Sequence, residues 1–400
     1  MKRLSVLLAA GAAALALAST VTAQPAAEGS PGALFAAGDF AAARAAYEAA
    51  AKASPNDAAA LAGLARARLY DNRNDEAIAL AQQALAAQPD NPVARQTLAV
   101  AQQRKASFGP DRFQVSGPAG EVAIPFAVTD PLPIVEVTVG GRKAEFLIDT
   151  GGPDIMVSAD LVKELGLPIQ GTTEGVFAGG ARAQVQHTLV PQLEIGGIRI
   201  ANVPAGVRPA AGAGIPGHRT DGVIGTGLLM HFLSTLDYCQ GRLVLRPRSA
   251  SAQFERAAAG ANVVPMWLVG DHFIFARGQL KGGAEGAFLI DTGLAGGGVS
   301  APKTTLDEAG VVIDPSRAGV GMGGGGPVTV IPFRAGASLG SLRVDDMQGF
   351  YSPSGDPSSV FPFKSKGLLS HGFFRRSRLT FDFDAMKLVT QACEVSARRA

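Results

Sequence analysis

At 400 residues the chain has room for more than one domain, and its 36 basic and 34 acidic residues nearly cancel. Setting aside residues 1–23, which hold Lys2 and Arg3 and no acid, leaves 34 of each sign, so a basic footprint for nucleic acid is absent. Two cysteines, Cys239 and Cys393, are too few for a disulfide scaffold or a structural zinc site, and His187, His218, His231, His272 and His371 show no metal-ligand spacing, so neither a metal nor a cofactor is expected.

The first 23 residues read as a secretory signal peptide: Lys2 and Arg3, then an apolar Leu/Ala run, then small residues leading to a cut near Ala23. The mature chain is expected to be periplasmic or secreted, most simply in a bacterial periplasm. No later stretch reaches the ~20 apolar residues of a spanning helix, so no stable membrane insertion is expected once the signal is removed. Export makes a disulfide between Cys239 and Cys393 one option, and two separately buried thiols are the other.

Residues 33–104 are Ala-rich with helical periodicity, inside a helical domain expected over 28–107. GDFAAARAAYEAAAKASPND (38–57) is echoed by NRNDEAIALAQQALAAQPDN (72–91), and Pro55 and Pro89 lie 34 residues apart. This segment resembles about two tetratricopeptide repeats, whose small residues, here Ala43, Ala50, Ala77 and Ala84, let paired helices approach. Stacked repeats need about three units to stand alone, so the array is expected to lean on the following domain or on another chain. It is read first as a packing or spacer element and second as a surface for a protein partner.

From about Gly109 the helical pattern stops, and a linker is expected over 108–122. Short β-type runs cut by Gly and Pro follow, among them 134–139, 192–203 and 242–247, which predicts an all-β region. Within it FLIDTGGPDIMVS (146–158) and FLIDTGLAGGGVS (288–300) carry Asp-Thr-Gly twice, 142 residues apart. Three more segment pairs recur in the same order: 193–203 with 337–347, 222–229 with 367–374, and 236–245 with 381–390. An internal duplication is expected, with copies over 123–250 and 260–392, a linker at 251–259 and a tail at 393–400.

Each copy reads as strand, Asp-Thr-Gly loop, glycine-rich hairpin, strand, apolar pair with a turn, and closing strand. Over about residues 123–392 this resembles the aspartic-protease superfamily in its retropepsin-like form. The resemblance implies a mainly β, bilobal acid-protease fold made of two retropepsin-like β-barrel repeats, here preceded by the small all-α tetratricopeptide-like domain. It places one Asp of each copy, Asp149 and Asp291, at a shared cleft. Both copies lie in one chain, and the expected active form is a monomer.

The residues around the triplets fit such a site. Phe146, Leu147 and Ile148, and likewise Phe288, Leu289 and Ile290, predict buried strands that deliver each Asp at a rigid end. Gly151 and Gly293 permit sharp turns. The family implies that Thr150 and Thr292 hydrogen-bond across a pseudo-twofold axis. Val223, Ile224 and Gly225 are expected to pass under the first loop, where the second copy has Leu368, Leu369 and Ser370. Two carboxyls at hydrogen-bond distance cannot both ionise cheaply, so they are expected to share one proton and to activate a water directly, without a covalent intermediate.

The glycine-rich stretches 175–185 and 319–330 are candidate flaps that would close over an extended peptide, with Phe177, Gly179, Gly180, Met322 and Gly323 as candidate contacts; ordinary hairpins are the alternative. Two departures from the family pattern fall in the second copy: Leu294 where a small residue is usual, and Ser370 where Gly is expected. GASLG (336–340) matches a nucleophile elbow without a strand-to-helix turn, and GVGMGG (319–324) matches a dinucleotide fingerprint without a helix after it, so both are set aside. The sequence predicts an exported aspartic endopeptidase acting on peptides or proteins. The alternatives are a catalytically inactive peptide-binding module and an envelope scaffold that recruits a partner through its helices.

Overall fold

The computed structural model describes residues 29–109, 111–176, 182–208, 218–323, 326–353 and 360–393. The expected signal peptide lies outside them. The helical region comprises α1 (Pro31–Ala36), α2 (Phe40–Ala53), α3 (Ala58–Tyr70), α4 (Asn74–Ala87) and α5 (Pro92–Ser107). Its starts are set by local chemistry: Asp39, Asp57 and Asn91 cap α2, α3 and α5 with side-chain oxygens, and Pro92 occupies the first turn of α5, where a missing N–H costs nothing. Ala43, Ala77 and Ala84 are fully buried, while Ala50 stays partly exposed.

The array does lean on the rest of the chain. Phe35, Phe40 and Tyr70 share one apolar cluster with Trp267, Phe275 and Phe363. Phe40 meets Trp267 and Phe363 edge-on, with ring centroids 5.3 and 4.8 Å apart. Burying such a ring stabilises by about 2–3 kcal/mol, and each edge-on pair adds roughly 0.5–1.5 kcal/mol. Arg104 seals the seam: only 3% exposed, it donates to the carbonyls of Leu69, Leu268 and Gly270.

The following region begins with β1 (Gln114–Ser116), β2 (Val122–Val128), β3 (Ile134–Val139), β4 (Arg142–Ile148), β5 (Ile155–Ser158), α6 (Ala159–Glu164), β6 (Ile169–Val176), β7 (Arg182–Ile195), β8 (Ile198–Arg208), β9 (Gly222–Ile224), α7 (Thr226–Leu229), β10 (Phe232–Asp237) and β11 (Arg242–Pro247). Helix α8 (Ser251–Ala257) leads to β12 (Asn262–Val269), β13 (Phe273–Leu280), β14 (Gly286–Ile290), β15 (Val299–Ser300), α9 (Lys303–Glu308), β16 (Gly319–Gly323), β17 (Gly326–Leu339), β18 (Leu342–Tyr351), β19 (Ser365–Leu369), α10 (His371–Phe374), β20 (Ser377–Asp382) and β21 (Lys387–Ala392). Residues expected as linkers thus carry structure: 108–122 contains β1, paired with β8, and 251–259 contains α8.

Strand pairing closes a six-stranded barrel in the order β3, β4, β9, β5, β8, β7 and back to β3. The second half closes in the same order through β13, β14, β19, β15, β18 and β17. In each, the strand that ends at an Asp-Thr-Gly triplet lies parallel to a short strand from much later in the chain, β4 beside β9 and β14 beside β19. The ends of β4 and β14 that deliver the triplets are buried on both faces, which is why 146–148 and 288–290 are uninterrupted apolar runs rather than alternating ones. The Ser that closes each motif differs in use. Ser158 caps α6 through its Oγ, whereas α9 starts after Pro302 with no side-chain cap.

A six-stranded antiparallel sheet, β2–β11–β10–β20–β21–β12, joins the halves. At its centre β10 pairs with β20, and Thr235 Oγ1 lies 2.7 Å from Thr380 Oγ1. The question left open for the cysteines is resolved: Cys239 and Cys393 form a disulfide beside this sheet. Among the described residues no helix is long and apolar enough to cross a membrane.

Candidate active site

Asp149 and Asp291 directly follow β4 and β14. Their amides donate to the carbonyls of Ile224 and Leu369, at 2.9 and 3.0 Å, so each acid continues a parallel strand pair into the loop. Each loop then turns back on its own carboxylate: Gly151 N donates to Asp149 Oδ1 at 2.9 Å and Gly293 N to Asp291 Oδ1 at 2.8 Å. The threonines between them lock the loops to each other. Thr150 Oγ1 donates to the Ile290 carbonyl at 2.8 Å and accepts from Thr292 N at 3.1 Å; Thr292 Oγ1 donates to the Ile148 carbonyl at 3.2 Å and accepts from Thr150 N at 3.1 Å. Both side chains are fully buried.

The glycines set how near the acids come. A Cβ on Gly293 would lie 2.3 Å from Asp149 Oδ1, and one on Gly151 would lie 2.6 Å from Asp291 Oδ2, so each carboxyl rests over the other loop's glycine. Burial first, then the charge of Asp291 and the hydrogen bond with it, hold the Asp149 carboxyl well above the usual carboxylate range, although the Gly151 and Gly152 amides pull the other way. Asp149 therefore holds its proton more tightly than a free carboxyl, with the second acid within hydrogen-bond reach.

A family model described as aspartyl protease matches residues 135–228, from β3 through α7, and a tetratricopeptide-repeat model matches residues 34–100. The chain carries an aspartic-protease-like domain and a separate tetratricopeptide-like domain. Among solved structures, a retropepsin-like aspartic protease from Rickettsia conorii is similar at 19% identity over 34% of this chain and 95% of its own, with a TM-score of 0.24, too low to bear on the fold. A comparison with curated proteins finds no match.

In the aspartic-protease-like domain, Val223 and Ile224 lie in β9 under the Asp149 loop, and Gly225 makes the contact possible, since a Cβ there would come within 2.3 Å of the Asp154 carbonyl. Thr226, not singled out from the sequence, donates through Oγ1 to the Thr150 carbonyl at 2.9 Å and through its amide to Gly152 O at 3.0 Å. In the second half Ser370, fully buried, accepts from Leu294 N at 3.1 Å. The Leu294 side chain lies against Gly297, where a Cβ would be 3.0 Å from Leu294 Cδ2. Both departures from the family pattern therefore take part in building the second loop.

The described parts of the two glycine-rich stretches lie in paired strands. β6 pairs with β7, and β16 with β17, where Met322 stands opposite Pro327 and Gly323 opposite Gly326. Phe177, Gly179 and Gly180 lie outside the described residues. Ser338 lies one residue from the end of β17, opposite Arg343 and Gln279, where the chain turns into β18 rather than a helix, and GVGMG forms β16 with another strand after it, so neither set-aside motif has its required context. Among the described residues no group of three or more His, Cys, Asp or Glu is arranged for a metal.

Two further residues bear on the Asp149 loop. His272, on the turn between β12 and β13, places Nε2 3.2 Å from the Gly151 carbonyl and Nδ1 2.5 Å from Asp271 Oδ1. A lone His in a turn carries no sequence signal for such a role. The adjoining Gly-Asp-His, in a chain with few histidines, was the only available hint.

Proposed function

We propose that the protein is an exported aspartic endopeptidase of the retropepsin-like kind, with two lobes, about 123–250 and 260–392, fused in one chain. The observation that carries this reading is the mutual seating of the Asp149 and Asp291 carboxyls over Gly293 and Gly151. In the reaction the ionised member of the pair takes a proton from a water held between them as that water attacks the scissile carbonyl. The protonated member gives its hydrogen bond to the carbonyl oxygen, where negative charge develops. Collapse of the tetrahedral species returns a proton to the leaving amine, and no covalent intermediate forms. Gly225, Thr150 and Thr292 supply the rigid floor that such positioning requires. The hairpins β6–β7 and β16–β17 would cover an extended peptide, with Phe177, Gly179, Gly180, Met322 and Gly323 as its contacts.

The disulfide between Cys239 and Cys393 supports an oxidising compartment and hence export past the signal at residues 1–23. A tetratricopeptide-like domain has the capacity to bind a protein, but here its aromatic face is occupied within the chain, which favours packing as its main task. The decisive experiment is a peptide-library digest from acidic to neutral pH with the Asp149→Asn and Asp291→Asn proteins alongside. Cleavage by the parent should fall by about 1000-fold or more in both variants, as expected when one of two groups acting as a unit is lost. Undiminished cleavage by either variant refutes the reading.

A further inference from the structure

We propose that Asp271 and His272 form a positioning pair that clamps the Asp149 loop through the Gly151 carbonyl, on a turn that Arg104 of the helical region holds in place. The inference rests on the peptidase reading for its effect on turnover, and on geometry alone for the clamp.

His272 is 8% exposed, and its ring lies against Phe273 with centroids 3.8 Å apart, so it cannot swing freely. Its two nitrogens face two acceptors, the Gly151 carbonyl and the Asp271 carboxylate. A carbonyl oxygen can only accept, so Nε2 donates to it, while Nδ1 faces the Asp271 carboxylate and fixes the ring's orientation. Burial works against ionised Asp271, yet His272, a backbone amide and the Arg104 charge together outweigh it and hold that carboxyl down at about 2.

The held atom matters because Gly151 serves both acids. Its amide donates to Asp149 Oδ1, and its Cα is the surface on which the Asp291 carboxyl rests. Fixing its carbonyl fixes the peptide plane that sets both. From the other side, Arg104 donates to the carbonyls of Leu268 and Gly270, at 2.7 and 3.0 Å, and so anchors the turn directly before Asp271. Gly270, at φ +61, supplies the left-handed residue the turn requires. The matching turn of the first half puts its acid to a different use, with Asp130 Oδ1 2.8 Å from His371 Nε2. The clamp on the Asp149 loop thus adds to the asymmetry that Leu294 and Ser370 already give the other loop.

The test uses the full chain with His272→Leu, which removes the donor, and His272→Gln, whose amide can still reach the carbonyl. Amide hydrogen exchange should rise about tenfold or more at Gly152 and Thr226 in the Leu variant and stay near the parent's in the Gln variant, with melting temperatures of all three alike. In cleavage assays kcat should drop about 10- to 100-fold in the Leu variant with KM within about twofold, and the Gln variant should recover most of it. Unchanged exchange in the Leu variant, or failure of the Gln variant to restore protection, overturns the clamp. A parent protein that cleaves no peptide overturns the peptidase reading, and the exchange comparison still decides the clamp.

Discussion

Replacing Thr150 with Val keeps the shape of a fully buried side chain and removes one hydroxyl. That hydroxyl gives its proton to the Ile290 carbonyl at 2.8 Å and receives one from Thr292 N at 3.1 Å, so the change deprives one buried acceptor and one buried donor of this partner. At about 1–3 kcal/mol for each such group, the fold should lose about 2–6 kcal/mol, a large part of the roughly 5–15 kcal/mol that holds a typical protein folded. Urea unfolding at neutral pH, read by tryptophan fluorescence from Trp267 and by circular dichroism, measures the difference directly. Thr292→Val should cost a similar amount and Thr150→Ser far less. The double Val variant should lose less than the two losses added, because the loops part once either side lets go. A loss below about 1 kcal/mol for Thr150→Val would refute the reasoning, since the backbone groups would then be satisfied without the threonine.

Gly293→Ala would put a methyl 2.3 Å from Asp149 Oδ1 and push the carboxyls apart; cleavage should fall about 100-fold or more with unchanged circular dichroism, and near-parental rates would contradict the seating described. Burial, then the charge of Asp271, push the Asp154 carboxyl up to about 6 from its ordinary 3.8, while His272 and Arg112 pull it down. The folded state therefore holds this proton more tightly than the unfolded chain, and the stability it contributes is full below about pH 4 and lost as pH rises through about 6. Asp154→Asn should gain at most about 3 kcal/mol over the parent at pH 8 and nothing at pH 4 in paired urea titrations, and equal gains at both would contradict this. The Cys239→Ser, Cys393→Ser double variant releases a bridge spanning 154 residues of chain and should lose about 2–5 kcal/mol in the same assay; a loss under about 1 kcal/mol would mean that the bridge constrains little.

What could be read in advance followed from short-range pattern. Phe146–Ile148 and Phe288–Ile290 announce buried strands because a strand covered on both faces has no polar alternation to hide behind, and the 34-residue echo announces paired helices because the turn and cap at Pro55 and Asp57 recur at Pro89 and Asn91. Contacts between segments far apart in sequence leave no such trace. Nothing in 232–237 or 377–382 says that these strands pair with each other as well as with their own hairpin partners, since an antiparallel edge looks the same whichever neighbour it meets. The use of Ser370 was equally hidden: the sequence marks it as a missing glycine, while in the fold its hydroxyl accepts the Leu294 amide. Helices α6 and α9 escaped notice because six residues are too few to display a helical period.

The aromatic seam between the helices and β12–β14 bears on how such a chain could mature. Were the first hundred residues a detachable prosegment, trimming them away would uncover Trp267, Phe275, Leu289 and Phe363 together and strip the Leu268 and Gly270 carbonyls of the guanidinium that covers them. The product would be a body with an oily wound, prone to clump. On the proposed reading, the helices stay attached in the active molecule.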